Sequence, residues 1–267
     1  MQSAFAFQPS PARLIRIRPA PPVPTGARSA VAASVAQAPG ACTKCHLREL
    51  CLPCGLQDSD VRRLDSLDFA RRRVLAGQAL YHQGDRFEQV YAVRSGTLKS
   101  SITLADGRTQ VCGFHMAGEQ LGLDGLAHGK HASSAIALED TEVCAIPYSL
   151  LAGLASLPSM QHLVARLMSR EIVREHSQML LLGSMGAEER LAMFLLNLSQ
   201  RLKARGYSAL EFHMRMTRAE IGSYLGLKLE TVSRTLSAFQ QRGLLRVDKR
   251  HIRILEMGAL GRVFGTS

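Results

Sequence analysis

No apolar run in the 267-residue chain approaches the roughly 20 residues needed to span a bilayer. Nor does the N-terminus hold the continuous apolar core of an export signal, because Arg16 and Arg18 interrupt Leu14, Ile15 and Ile17. Catalytic patterns are missing as well. There is no phosphate-binding glycine loop, no Ser/His/Asp constellation and no C-x3-C-x2-C spacing of radical enzymes, and His46, His115, His128 and His131 show no ligand spacing. Residues 1–40 lack acidic side chains, and no cysteine occurs before position 42. These absences point away from a membrane protein, an exported protein and an enzyme, and place the chain in a reducing cytoplasm.

Cysteine, absent from the tail, is then concentrated. Four of the six fall in Cys42-Thr-Lys-Cys45-His-Leu-Arg-Glu-Leu-Cys51-Leu-Pro-Cys54. Soft thiolates at this density suit an iron–sulfur cluster or zinc better than a hard cation. A disulfide knot is the bland competitor, but a chain this long buries a sizeable core without covalent staples. By spacing alone the four local cysteines could equally close a tetrahedral zinc site.

Charge is uneven. The formal net charge is +11; residues 1–40 carry four Arg, and residues 186–267 carry fourteen Lys or Arg against seven Asp or Glu, which leaves the middle neutral. A neutral centre with a basic C-terminal end suits a polyanion there, most simply nucleic acid.

Along the chain, residues 1–41 are Pro-, Ala- and Arg-rich and read as a disordered tail. From Asp60 to Pro147, short apolar runs such as Val90-Tyr-Ala-Val93 and Ser101-Ile-Thr-Leu104 alternate with turns at Gly77, Gly84-Asp85, Ser95-Gly96, Asp106-Gly107 and Ala117-Gly118. That punctuation predicts an antiparallel β-barrel or roll, with Asp106-Gly107 its strongest hairpin signal. Pro158 opens a long helical stretch. Ala165, Met168, Ile172, Glu175, Met179 and Leu182 follow the 3-4 spacing of a coiled-coil seam, while Leu163, Leu167 and Leu181 make a second apolar face for the β-domain. The seam predicts a homodimer, and Glu175 weakens it by setting like carboxylates against each other across the two-fold axis.

Thr217-Arg-Ala-Glu220 is a capping box opening a short helix, Gly226-Leu-Lys is a turn, and Leu229–Phe239 forms a second helix burying Val232, Leu236 and Phe239. Gly222 permits the two to approach. This is a helix-turn-helix, and the alternating runs Gly243–Val247 and His251–Leu255 supply a wing. Glu230, Thr231, Ser233 and Arg234 occupy the exposed N-terminal positions of the second helix, where a recognition helix reaches base edges of double-stranded DNA. Arg234 suits guanine O6/N7 and Glu230 suits cytosine N4; alternatively the two form an i,i+4 ion pair.

Taken together, the cysteine stretch, Tyr91-Ala-Val-Arg-Ser-Gly-Thr97, Gly113-Phe-His-Met-Ala-Gly118, Arg166-Leu-Met-Ser169, Ala187-Glu-Glu-Arg-Leu191 and Leu229-Glu-Thr-Val-Ser-Arg234 resemble the Crp/Fnr superfamily, and within it the Fnr-type oxygen-responsive (fumarate and nitrate reduction) regulators. The resemblance implies an α+β chain: a cluster loop (42–55), an antiparallel β-roll resembling cyclic-nucleotide-binding domains (56–158), a dimerisation helix (159–185) and a winged helix-turn-helix (186–267). It implies one [4Fe-4S] cluster per subunit, held by Cys42, Cys45, Cys51 and the distant Cys144. Glu230, Ser233 and Arg234 match base-reading positions for a two-fold TTGAT-N4-ATCAA-like site. Glu175 matches an acid that keeps the cluster-free form monomeric, and the loop with Gly107 and Arg108 matches an RNA polymerase contact, although Arg108 replaces an acid there. The function implied is an anaerobic transcriptional regulator, mainly an activator; the alternative is zinc or thiol-redox control. Cyclic-nucleotide responders carry an Arg-Ser pair where this chain has His131-Ala-Ser-Ser134, which argues against a cyclic nucleotide. Cys54 and Cys112 are additional to the pattern, Cys112 being expected to pack on the barrel as a small hydrophobe.

Overall fold

The computed structural model describes residues 42–67, 69–153 and 158–264; the tail expected at 1–41 lies outside them. After the cysteine loop comes helix α1 (Asp58–Asp65), and then eight strands make two antiparallel sheets. One holds β1 (Ala70–Val74), β8 (Thr141–Pro147), β3 (Gln89–Ser95) and β6 (Gln120–Leu121) in that spatial order. The other holds β2 (Ala79–Tyr81), β7 (Ser134–Ala137), β4 (Thr97–Thr103) and β5 (Thr109–Met116). The Asp106-Gly107 hairpin joins β4 to β5, with Gly107 at φ 86°, a conformation that glycine adopts freely.

Successive residues of a strand face opposite sides, and both sides of β3 and β8 are covered. Tyr91, Val93, Val143 and Ala145 point into the roll with Leu80, Tyr81 and Leu98. Val90, Ala92 and Ile146 point outward, beneath Leu52 and Leu56 of the cysteine loop, Val61 and Leu64 of α1, and Met160, Leu163 and Leu167 of the long helix. Loop and long helix therefore share one core.

After α2 (Tyr148–Gly153), that helix, α3 (Pro158–Ser184), runs 27 residues, about 40 Å at 1.5 Å per residue. Pro158 is its first residue, where the missing N–H costs nothing. Next come α4 (Ala187–Ala204), β9 (Glu211–His213), α5 (Arg218–Leu225), α6 (Leu229–Gln241), β10 (Leu245–Asp248), β11 (His251–Ile254) and α7 (Met257–Arg262). In α5, Thr217 Oγ1 accepts from Glu220 N at 3.2 Å while the Glu220 carboxylate accepts from Thr217 N at 2.7 Å, the capping box expected there. Gly226 ends the helix at φ 64°, and a Cβ on Gly222 would meet the Leu227 carbonyl at 2.6 Å. Leu163, Leu167 and Leu181 share one face of α3: the first two pack under β3 and β8, and Leu181, five turns beyond Leu163, enters a core that joins Val111 and Phe114 of β5 to Leu191, Leu195 and Ile221 of the C-terminal domain.

Candidate functional site

The cysteine loop is a chain of tight turns. Cys45 N donates to the Cys42 carbonyl at 3.2 Å, Cys51 N to Leu47 at 2.8 Å and Cys54 N to Cys51 at 3.0 Å. Buried Leu47, Leu52 and Leu56 anchor it, and the Asp65 carboxylate accepts from the backbone of Cys42 and Thr43. This fixes the thiols over the outer face of β8, where Cys144 alternates with inward-facing Val143 and Ala145.

Four thiols act on one another. Burial pushes Cys42 up to about 12, reinforced by Cys51, Asp65, Cys144 and Cys45. Burial also pushes Cys51 up to about 11, with Cys144 and Cys45 adding to it. Cys144 is raised by burial, against the pull of Arg94, with Cys45 again contributing. Cys42, Cys51 and Cys144 pack against one hydrophobic cluster and Cys45 acts on all three, so two segments about a hundred residues apart meet here. Their donor set, four soft and partly buried sulfurs free of disulfides, suits an iron–sulfur group, and a metal filling it displaces the thiol protons. Among the described residues, no three metal-binding side chains close on a single-ion position.

Cys54 turns elsewhere. Its sulfur accepts from Arg170 Nη2 at 3.6 Å and its carbonyl accepts from Arg166 Nη1, both arginines coming from α3. Neither arginine stands out as a site residue in the sequence, since a surface helix carries many cations. Cys112 is half-buried on β5 of the roll, with its thiol 3.5 Å from the Gln110 carbonyl.

The expected seam of α3 faces outward. Met168, Ile172 and Met179 are 43%, 54% and 68% exposed, and Ala165 and Glu175 are exposed beside them. Val173 and Leu180 widen this apolar strip. Half-way along, Arg174 turns inward to His115, which is buried and hydrogen-bonded to Ser100 Oγ at 3.0 Å.

On α6, Glu230 and Arg234 are exposed and Thr231 and Ser233 half-buried. Among the described ion pairs there is none between Glu230 and Arg234, so both heads point to solvent; Ser233 Oγ accepts from Arg218 Nη1 at 3.2 Å. The helix-turn-helix is held to the β-roll by Lys99–Glu220 at 2.6 Å and by Val111 N to Ser223 Oγ at 2.9 Å. A second, larger bridge joins Glu119, between β5 and β6, to Arg201 of α4 and to Arg205, the residue that caps it. The sequence gives no hint of that bridge, because Gly118-Glu119 reads there only as part of a nucleotide-type motif.

Gly107 and Arg108 sit at an exposed hairpin tip, where Arg108 Nε holds Asp106 at 2.8 Å. Inside the roll, the His131 ring stacks on Tyr81 with centroids 3.7 Å apart and bonds Asp124 at 3.1 Å, while Ser133 Oγ donates to Asp124 at 2.8 Å.

With this geometry in view, a family model described as a Crp-like helix-turn-helix domain matches residues 189–263, and one described as a cyclic nucleotide-binding domain matches residues 71–156. The chain is 47% identical to the transcriptional regulatory protein btr of Bordetella pertussis, over 84% of this chain and 93% of that one. It is 41% identical to the fumarate and nitrate reduction regulatory protein of Escherichia coli K12, over 84% and 90%. The solved structure of FixK2 from Bradyrhizobium japonicum superposes with a TM-score of 0.67 at 33% identity, covering 73% of this chain and 97% of that chain. None of the described helices is long and apolar enough to cross a membrane. The roll, the long helix and the winged helix-turn-helix, with these likenesses, make the chain a member of the Crp/Fnr family of transcriptional regulators, Fnr-like and not an enzyme.

Proposed function

We propose that the chain is an oxygen-responsive regulator, mainly an activator, that binds a TTGAT-N4-ATCAA-like DNA site as a homodimer when Cys42, Cys45, Cys51 and Cys144 hold a [4Fe-4S] cluster. One observation carries the reading. The four thiols converge from a loop and a distant strand, and that same loop packs on α3, whose other face is a bare apolar seam. Relatives named as regulators of fumarate and nitrate reduction and as an anaerobic regulatory protein support the oxygen signal.

Bound there, the cluster supplies chemistry that responds to oxygen. The protein's own part is mechanical. With the thiols tied together, Cys144 fixes the loop, and Leu52, Leu56, Arg166 and Arg170 set α3 in the register that mates its seam with a second copy. Glu175 opposes that mating, so the dimer stands only while the loop is fixed. A differential of about 5.5 kcal/mol takes such an equilibrium from 1:99 to 99:1. In the dimer, two α6 helices about 34 Å apart present Glu230, Thr231, Ser233 and Arg234 to successive major grooves. Gly107 and Arg108, exposed at their hairpin tip, offer RNA polymerase a surface.

No cyclic nucleotide is required. His131-Ala-Ser-Ser134 stands where responsive relatives carry an Arg-Ser pair, and its His131 and Ser133 are bonded to Asp124, which supports that reading. A reducing cytoplasm keeps the thiols available.

Anaerobic purification of the full chain tests the reading. The expected product is brown, holds four iron per chain and binds the two-fold site. Cys144→Ser should lose iron and DNA binding, and Cys54→Ser should keep both. A colourless zinc protein, or iron retained in Cys144→Ser and lost in Cys54→Ser, overturns it.

A further inference from the structure

Cys144 is ringed by arginines on its own face of the sheet. On β1, Arg71 pairs directly with Cys144 and Arg73 with Glu142; on β3, Ala92 pairs with Cys144 from the other side. Directly opposed residues put their Cβ atoms about 4.5–5.5 Å apart on the same face, so Arg71 starts alongside the thiol and Ala92 leaves room over it. Two of the neighbouring arginines are engaged by carboxylates: Arg73 with Asp140 at 2.8 Å, and Arg94 with Glu142 at 3.2 Å.

Arg71 differs. Its Nε is the one buried side-chain polar atom among the described residues with no hydrogen-bond partner. A guanidinium does not shed its proton, so this is a permanent donor held out of water beside a cysteine with nothing to receive it. Such a group is costly unless a partner arrives. The acceptors that can arrive at this place are sulfurs: the Cys144 thiolate and the inorganic sulfide of a cluster. Arg94 and Arg71 are the cations that act most on Cys144.

We infer that Arg71 is a positioning residue of the cysteine site, giving its Nε–H to a sulfur at the Cys144 corner when the site is filled and so setting the reduction potential there. The inference rests on the cluster reading of the four cysteines. Hydrogen bonds to sulfur and nearby positive charge both favour the more reduced, more negative state of an iron–sulfur group. Arg71 therefore raises the potential and slows oxidation in air. Because β1 is an edge strand of its sheet, with β8 as its one neighbour, it can follow the cluster without disturbing the roll's interior.

The test uses the full chain, reconstituted anaerobically with iron and sulfide. In Arg71→Met, iron loading should stay near the wild-type level. The midpoint potential should fall by about 59 mV, a tenfold change for one electron, and the visible absorption should bleach in air about tenfold faster. Arg71→Lys keeps the charge but lacks the Nε–H, and should shift both readouts the same way by less. Arg73→Met, on the same strand and face but committed to Asp140, should shift neither. In the empty protein, Arg71→Met should melt no lower than wild type, because the orphan donor has gone. An Arg71→Met potential and bleaching rate equal to wild type, or a lowered melting temperature of the empty protein with an unshifted potential, overturns the inference alone; should Arg71→Met not fold, an unshifted Arg71→Lys does the same. A wild-type chain that takes up no iron overturns the cluster reading, and the inference with it.

Discussion

Glu119 and Arg201, 82 residues apart in sequence, share two hydrogen bonds, from Nε at 3.0 Å and from Nη2 at 2.6 Å. Arg205 Nη2 adds a third at 2.5 Å, so one carboxylate locks the β5–β6 turn of the roll to α4 of the DNA-binding domain. The same turn abuts the cysteine loop. A Cβ on Gly118 would lie 2.8 Å from Leu50 Cβ, and Gln120 reaches Cys51 Sγ at 3.8 Å. Burial pushes the Glu119 carboxyl up, but Arg201 and Arg205 overcome it and hold it below the usual range. Glu119→Gln should therefore cost about 3 kcal/mol at pH 7, by leaving two guanidiniums uncompensated. A depressed carboxyl stabilises above its unfolded value and loses that contribution as pH falls through the folded one, so the gap between wild type and variant should close in acid. Urea unfolding at several pH values measures it; a gap that does not change with pH rejects the assignment.

His115 gives the opposite kind of titration. Burial and then Arg174 hold it down to about 3, neutral, with Ser100 on one ring nitrogen and Arg174 on the other. Arg174 can only donate, so Nδ1 accepts and Nε2 carries the hydrogen. Below about pH 6.5 the unfolded chain takes up a proton that the folded chain refuses until about pH 3, so stability declines with acid across that window. By pH 5 the loss is about 2 kcal/mol. His115→Gln should lose less between pH 7 and pH 5 than wild type, by thermal melting; parallel curves would show that the ring does not titrate this way.

Glu175 lies in the exposed strip between Ile172 and Met179. Glu175→Ala should tighten self-association in air at least tenfold, about 1.4 kcal/mol, and retain part of the DNA binding that wild type loses there. Sedimentation and operator binding under air decide it. A monomeric variant that leaves the operator unbound refutes the seam.

Gly107 has open space where a Cβ would go, but its φ of 86° disfavours any side chain. Gly107→Ala should distort the tip by about 1 kcal/mol of local strain. Transcription from a target promoter should drop while operator affinity stays unchanged. A parallel loss of both would remove the tip as a polymerase contact.

The helix-turn-helix was legible because its signals are local. Thr217 and Glu220 are three residues apart, and Gly226 ends the helix that they begin. The exposed apolar strip of α3 was legible for the same reason, as a short-period pattern. Cys144 was not: spacing gives no reason to prefer it over Cys54 or Cys112, and only the resemblance singles it out. What brings it to the loop is the pairing of β8 between β1 and β3, which no run of residues around position 144 encodes. The Glu119 bridge and the orphan donor on Arg71 were hidden likewise, since each depends on which distant backbone comes alongside.

The shared core of the cysteine loop and α3 also works in reverse. Coupling free energy has no preferred direction: if filling the four-cysteine site tightens DNA binding by some factor, DNA must tighten retention of the filled site by that same factor. A dimer seated on its operator would then hold its iron more tightly at equilibrium than one free in solution. Promoters would differ in how far they shelter the filled site, each according to how strongly it distinguishes the filled protein from the empty one.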